Sequence, residues 1–416
     1  MLFKTTTILG LAGALCALAC VPAGAATFAP PDTPGPDLSV PQAKLAAALS
    51  CSAGVDRAAR APVLLVQGTG ATAHDNWSWT YEPALDKLSI PWCQIDLPDH
   101  ATGDVQVNGE YVVFAIRTMF QRAGRKIAII GHSQGGMVPR WALRFWPDTR
   151  AMVDDVIGFA PSNHGTTQAA ATCGDGSCSA ADWQQWDISH FMQALNSYAE
   201  TWPGISYTNV YTHTDEIVQP NADDHGSSSL HTGGGRIANV ATQDICPGDT
   251  NEHLLVGLID PVAYALAVDA LDHDGPADPK RIDSGVCAQQ LQPGVNPATF
   301  PADSAAALAD FEGYQATEVP AEPRLACYTN ASCPSSSVPP AAKRCTRHTR
   351  FSVRLRRLRG LKVTLGGQRL HVHRRGRRRT VTVDLGPTGA QPVVLVETGR
   401  TARGHRVTVR RTYRGC

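Results

Sequence analysis

Short apolar runs recur through the first two-thirds of the chain, with helical periodicity between them. Pro62-Val63-Leu64-Leu65-Val66 is wholly apolar, as a strand covered on both faces of a parallel sheet must be. Similar short runs occur at Trp92 to Asp96, Lys126 to Ile130, Val153 to Phe159 and Asn209 to Tyr211, with Arg236 to Ala241 a further candidate. Between the second and third of these, Val107 to Arg122 sets Val107, Tyr111, Phe114, Ala115, Met119 and Phe120 on one helical face. Pro41 to Leu49 predicts a short amphipathic helix, and Leu254 to Leu271 a largely apolar one. Apolar strands alternating with helices predict an α/β fold with a mainly parallel central sheet.

From Phe351 onward the period changes to two. Phe351 to Arg356, Thr380 to Leu385 and Arg406 to Arg410 alternate apolar and polar residues, with glycines at 360, 366, 367 and 386 between them. That pattern predicts a small antiparallel β domain. Residues 272–345 are rich in Pro, Ala and Asp, and Ser332 to Ala342 reads as a linker. The expected division is a leader over 1–25, an α/β domain over 26–325, a linker over 326–344 and a basic β-rich domain over 345–416.

Charge sharpens that division. The chain has 416 residues, 43% hydrophobic and 18% charged, ordinary values for a globular protein, and its formal net charge is zero. The zero is a cancellation: residues 341–416 hold 21 of the 37 Lys+Arg and 2 of the 37 Asp+Glu, a net +19 set against −19 in the rest. Such asymmetry implies a two-part protein and an anionic partner for the tail. Acidic polysaccharide, teichoic acid and lipid head groups are candidates, as is the acidic domain of the same chain. No nucleic-acid-binding motif is visible.

The N-terminus has the composition of a signal peptide: Lys4, an apolar stretch from Ile8 to Ala19, and Ala23-Gly24-Ala25 as an A-x-A cleavage signal. The expected location is extracellular. A lipid anchor at Cys20 is the lesser alternative, since Ala17 stands where a lipobox expects Leu. The apolar stretch is short for a membrane span, and no later one reads as a span. Of twelve cysteines, Cys16 and Cys20 fall in the leader, leaving an even ten. In an exported chain that implies a disulfide framework. Cys345 and Cys416 bracket the basic domain and are expected to pair, and Cys173 and Cys178 close a Gly/Ser-rich loop. No cysteine or histidine spacing suggests zinc.

The candidate chemistry centres on Gly131-His132-Ser133-Gln134-Gly135. A β-branched run precedes it and a helical stretch follows, the context in which G-x-S-x-G reads as a nucleophile elbow. A serine hydroxyl needs a base, and the base needs an orienting carboxylate. Asp215, in the loop after the Asn209 strand, is the candidate acid, with Glu216 its neighbouring competitor. His225, His231 and His253 all follow it. His253, at the start of an apolar helix, has the most rigid platform and is the candidate base. Oxyanion donors are expected from the Gln134 backbone N–H and from Thr69 in the Gly68-Thr69-Gly70 loop. His132 and His164 lie near the site in sequence, without an assigned proton-transfer role.

With those residues in place, the chain resembles the Candida antarctica lipase B-like family of α/β-hydrolases. Val66-Gln67-Gly68-Thr69-Gly70, Asp75-Asn76-Trp77 and Gln106 to Tyr111 carry the resemblance. So do Ser133 to Gly136, Phe159-Ala160-Pro161, Trp183-Gln184-Gln185 and Thr214 to Pro220. These motifs fall in order across about residues 45–290. The resemblance implies an α/β-hydrolase fold and triacylglycerol lipase or carboxylesterase activity without a cofactor. It also implies Ser133 as nucleophile, Asp215 as acid, His253 as base, Thr69 and Gln134 as oxyanion donors, and disulfides Cys51–Cys93 and Cys246–Cys287. Glu252-His253 departs from the family's Asp-His, and the basic domain lies outside the resemblance. The expected function is a secreted serine ester hydrolase acting on lipid or other esters. A polyester- or cutin-type esterase or an acyltransferase would use the same residues. A surface-binding protein with a vestigial hydrolase domain is the reading from another class.

Overall fold

A computed structural model describes residues 28–333 and, beyond them, 345–346, 350–355, 358–365, 368–375, 378–384, 393–401 and 406–415. The leader, the Cys20 alternative and the Cys345–Cys416 pairing lie outside the described residues. The chain divides into two compact units, one ending at Cys333 and the other beginning at Pro334.

The first unit is built on a seven-stranded sheet: β1 (Leu49–Cys51), β2 (Val63–Val66), β3 (Trp92–Ile95), β4 (Ile127–His132), β5 (Val153–Phe159), β6 (Ser206–Tyr211) and β7 (Arg236–Ala241). Their order is β1-β3-β2-β4-β5-β6-β7, antiparallel only between β1 and β3. The sequence runs become strands because both sheet faces are covered. Leu64, Val66, Ile127 and Ile129 pack into one apolar core with helix α1 (Val105–Ala123). Val63, Leu65, Ala128 and Ile130 pack into the other. β4 is central and buried at every position, so the loop at its C-terminal end opens at the sheet's rim, where α/β folds place ligands. Asp104 caps α1 at its start, accepting from the Gln106 N–H, and Gly124 ends it in the left-handed conformation.

The apolar stretch read as one helix from Leu254 to Leu271 is two. Helix α2 (Gln134–Phe145) comes directly after β4; helix α3 (His253–Leu258) lies further along the chain, and α4 (Pro261–Asp272) restarts with Asp260 accepting from the Ala263 N–H and proline in its first turn. Pro261 lacks the N–H that would continue α3. The stretch has the length and composition of a membrane span. Within this unit, Ala263, Leu266 and Ala270 instead pack on the sheet with Phe159 and Val210. Helix α5 (Phe300–Gly313), in the segment rich in Pro, Ala and Asp, presents no buried side chain. Disulfides join Cys51–Cys93, Cys173–Cys178, Cys246–Cys287 and Cys327–Cys333. The last holds residues 327–333, where Thr329 is buried, within the first unit.

The second unit has two small sheets. Strands β8 (Cys345–Thr346), β9 (Arg350–Arg354), β10 (Arg359–Leu365), β11 (Gln368–Arg369), β12 (His373–Arg375), β13 (Arg378–Asp384), β14 (Val393–Arg400) and β15 (Arg406–Gly415) order as β8-β15-β14-β10-β11 and β9-β13-β12. Val363 and Leu395 of the first pack against Val353, Val381 and Val383 of the second.

Candidate active site

β4 turns directly into α2 at Ser133. Ser133 has φ 54° and ψ −123°, a conformation few L-residues adopt. It is held there by surroundings that leave no slack. Its N–H donates to the Phe159 carbonyl of β5 at 2.8 Å, and its carbonyl accepts from the Gly136 N–H at 3.0 Å. A Cβ on Gly131 would stand 1.9 Å from the Gly135 carbonyl oxygen, and one on Gly135 would stand 2.0 Å from the Val66 oxygen. The two glycines let strand, turn and helix close around the serine. The first N–H groups of α2 have no partner within the helix and lie beside that turn.

His253 comes from the other end of the sequence span. Glu252 caps α3 by accepting from the Leu254 N–H at 2.8 Å, which fixes the first helical residue, His253. The imidazole is 2% exposed. Its Nδ1 donates to Asp215 Oδ2 at 3.0 Å, which leaves Nε2 as the ring nitrogen not engaged by that carboxylate. Asp215 follows β6, and its carboxylate is itself fixed. Oδ1 accepts from the N–H groups of Ile217 (3.0 Å) and Val218 (2.7 Å), and Oδ2 accepts from Asn221 Nδ2 at 3.2 Å. Thr212 and Thr214 hydroxyls both donate to the Asn251 carbonyl at 2.9 Å, tying the loop of Asp215 to the loop of His253.

The competing residues go elsewhere. Glu216 accepts weakly from the His253 backbone N–H at 3.4 Å and does not reach the ring. His225 is 91% exposed and lies against His231, with ring centroids 5.9 Å apart. His164 bonds Glu200 Oε1 at 2.7 Å. Burial alone would raise the Glu200 carboxyl. The hydrogen bonds from His164, His231 and Thr232 and the Arg140 charge bring it down to about 2 instead.

His132 packs against His253. Its ring is buried 5.1 Å from that of His253, and its Nε2 donates to the His253 carbonyl at 3.1 Å. Burial, and then the neighbouring His253, depress its pKa to about 3, so it stays neutral. It fits because residue 257 is glycine: a Cβ there would lie 2.1 Å from the His132 ring.

Thr69 stands at the mouth of the same turn, on the loop after β2. Its Oγ1 accepts two amide hydrogens, from Gln134 Nε2 at 2.8 Å and Gln185 Nε2 at 2.9 Å. Each amide's orientation is fixed independently. Gln134 Nε2 also donates to the Ala101 carbonyl while its oxygen accepts from Asn108 Nδ2. Gln185 Nε2 also donates to the Ala181 carbonyl while its oxygen accepts from the Ser162 hydroxyl. With both acceptor positions of Thr69 Oγ1 filled, the hydroxyl hydrogen is the group left to donate. Sequence reasoning quoted Asn108 and Gln185 only as parts of motifs and missed Ser162 and Gly257. These residues lie far from Thr69 and His132 in the chain, and nothing local marks them.

Helix α5 leans on this loop: a Cβ on Gly70 would meet the Phe311 ring at 2.5 Å. Phe311 (42%) and Leu308 (47%) nevertheless remain exposed. The Cys173–Cys178 disulfide ends at the strand Cys178–Ser179, which pairs with Glu318–Val319.

The chain is similar to known proteins. The family described as lipase (class 2) matches residues 110–253. The chain is 33% identical to lipase B of Pseudozyma antarctica over 244 residues, spanning 58% of this chain and 70% of that one. The crystal structure of Aspergillus fumigatus lipase B superposes with a TM-score of 0.65 at 29% identity, over 71% of this chain and 73% of that one. An elbow serine on a seven-stranded, mainly parallel sheet and a relative matched over most of its length lead to one conclusion: the chain belongs to the lipase B family of α/β-hydrolases and is a lipase-like ester hydrolase.

Proposed function

We propose that the protein is a secreted serine ester hydrolase, of triacylglycerol lipase or carboxylesterase type, working through an acyl-enzyme on Ser133. The observation that carries this reading is the 3.0 Å bond between His253 Nδ1 and Asp215, in a chain whose Ser133 has strained elbow geometry. Ser133 Oγ attacks the ester carbonyl as its proton passes to His253 Nε2, and Asp215 stabilises the imidazolium. The Gln134 N–H and the Thr69 hydroxyl donate to the tetrahedral oxyanion. The imidazolium then protonates the departing alcohol. Water enters by the same route and releases the acid.

Extracellular working is supported by the leader composition and by four disulfides among the described residues. The unit from Pro334 onward supplies an anionic-surface contact, a reading that rests on its excess of Lys and Arg. Ser133→Ala is expected to remove p-nitrophenyl butyrate hydrolysis and labelling by a fluorophosphonate probe. Retention of near wild-type turnover would refute the nucleophile assignment. A protein that never labels would favour a vestigial hydrolase domain.

A further inference from the structure

The five-stranded sheet of the second unit separates its residues by face. Along β14, Leu395 and Glu397 are buried while Val394 and Arg400 are exposed. The ladder carries that alternation across the neighbouring strands. Val363 and Leu365 of β10 lie opposite Glu397 and Leu395 on the inner face, where Val363 and Leu395 enter the core and Glu397 pairs with Arg411 at 2.8 Å. On the outer face, Arg359 and Lys362 lie opposite Arg400 and Thr398. Arg369 of β11 lies opposite Thr364, and positions 406 and 410 of β15, both Arg, lie opposite Arg400 and Val396.

Every charged position the ladder puts on that outer face among the described residues is therefore a cation. Arg359, Arg400 and Arg406 fall in one cross-strand row, one residue from each of three adjacent strands. Like charges directly opposite each other destabilise a sheet. A fold stabilised only from within would intersperse carboxylates there. The sole acid on this sheet among the described residues, Glu397, is turned inward.

We propose that this outer face binds an anionic lipid surface. The array extends in two directions, across strands spaced about 4.8 Å apart and along strands of 7 to 10 residues. That matches a plane of phosphate head groups; a linear polyanion would need only one row. Exposed Val394 and half-buried Val396 share the face with the cations, giving the mixed apolar and basic character that suits a head-group layer. The inference deepens the proposed function, because such a contact would hold an ester hydrolase at a lipid substrate. The binding itself does not depend on Ser133 chemistry.

The test is sedimentation of the full chain with vesicles of phosphatidylcholine containing about 30 mol% phosphatidylglycerol, against pure phosphatidylcholine vesicles, at low salt and at about 0.5 M NaCl. The expected result is binding to the anionic vesicles alone, lost at high salt. The Arg359→Glu/Lys362→Glu/Arg369→Glu variant is expected to bind at least tenfold more weakly, since each surface Lys or Arg contributes about fivefold near an anionic leaflet. Turnover of a soluble ester should be unchanged in that variant. Lys44→Glu/Arg57→Glu/Lys280→Glu changes net charge equally, at exposed positions of the first unit, and should bind within about threefold of wild type. Ser133→Ala should bind as wild type does, so failure of the hydrolase reading and failure of this one are separable. Equal loss in both charge variants would overturn the assignment to this face. Retention on an anionic polysaccharide resin without vesicle binding would overturn the lipid.

Discussion

Gln185 is the most informative residue to change. Its Nε2 gives Thr69 Oγ1 one of the two hydrogen bonds that point the hydroxyl hydrogen outward. Gln185→Glu keeps the shape and replaces that donor by an acceptor. The Thr69 hydroxyl then turns toward the new carboxylate, and the oxyanion loses a donor. Removing one such donor costs roughly 10²–10³ in kcat, about 2.7–4 kcal/mol, and a carboxylate close to a developing oxyanion pushes in the same direction. Gln185→Leu removes the donor without competing for the hydroxyl. Gln134 still holds Thr69, so a loss near tenfold is expected, about the 0.5–1.5 kcal/mol of one hydrogen bond. The assay is kcat and KM on p-nitrophenyl butyrate, with KM expected within a fewfold of wild type because the ground-state carbonyl is scarcely affected. A cycle with Thr69→Val closes the argument: once the hydroxyl is gone, Gln185→Leu should cost little more. Full activity in Gln185→Glu, or the same loss from Gln185→Leu with and without the hydroxyl, would refute the orientation argument.

Three further outcomes follow from buried groups of the first unit. Asp260 is pushed up to about 7, by burial first and then by its neighbour Asp249; its folded form holds a proton that the unfolded chain releases near 3.8. Its contribution is therefore fully present below about pH 4 and is lost as pH rises through 7. Asp249→Asn offers Asp260 an N–H donor and should stabilise the protein at pH 8 but not at pH 4 in urea unfolding, by about 1.4 kcal/mol per unit that the Asp260 pKa falls. Equal pH dependence in both proteins would count against the pair. His132 has the opposite sign: its pKa is depressed to about 3, so its contribution is present above about pH 6.5 and lost as pH falls. His132→Phe should flatten the acid limb of stability while lowering kcat through loss of the bond to the His253 carbonyl, and an unchanged limb would argue against a buried neutral imidazole. Gly257→Ala should cost about 1–3 kcal/mol by forcing a methyl into the His132 ring, read as a fall in the urea midpoint, and a neutral result would mean that the ring has room to move.

The strands were legible because both sheet faces are covered, which makes β2 and β4 continuous apolar runs. Helix α1 was legible from its periodicity and α2 from the elbow before it. Helix α5 was not, because its alanines have no polar counterface and none of its side chains is fully buried. The break at Asp260-Pro261 was written locally, as a capping aspartate before a proline, but hydropathy on both sides masks it.

The sequence by itself determined the order of strands along the chain, the elbow with its two glycines, the order of Ser133, Asp215 and His253, and the charge division between the two units. These follow from local sterics, periodicity and composition, which need no partner from elsewhere in the chain. Only the tertiary structure decided which histidine meets Asp215, how Gln134 and Gln185 share Thr69, and why His132 requires glycine at 257. Contacts of that kind join residues 38 to 125 positions apart, and hydrogen-bond geometry acts only over about 3 Å. The fold has to bring those atoms together before their chemistry exists.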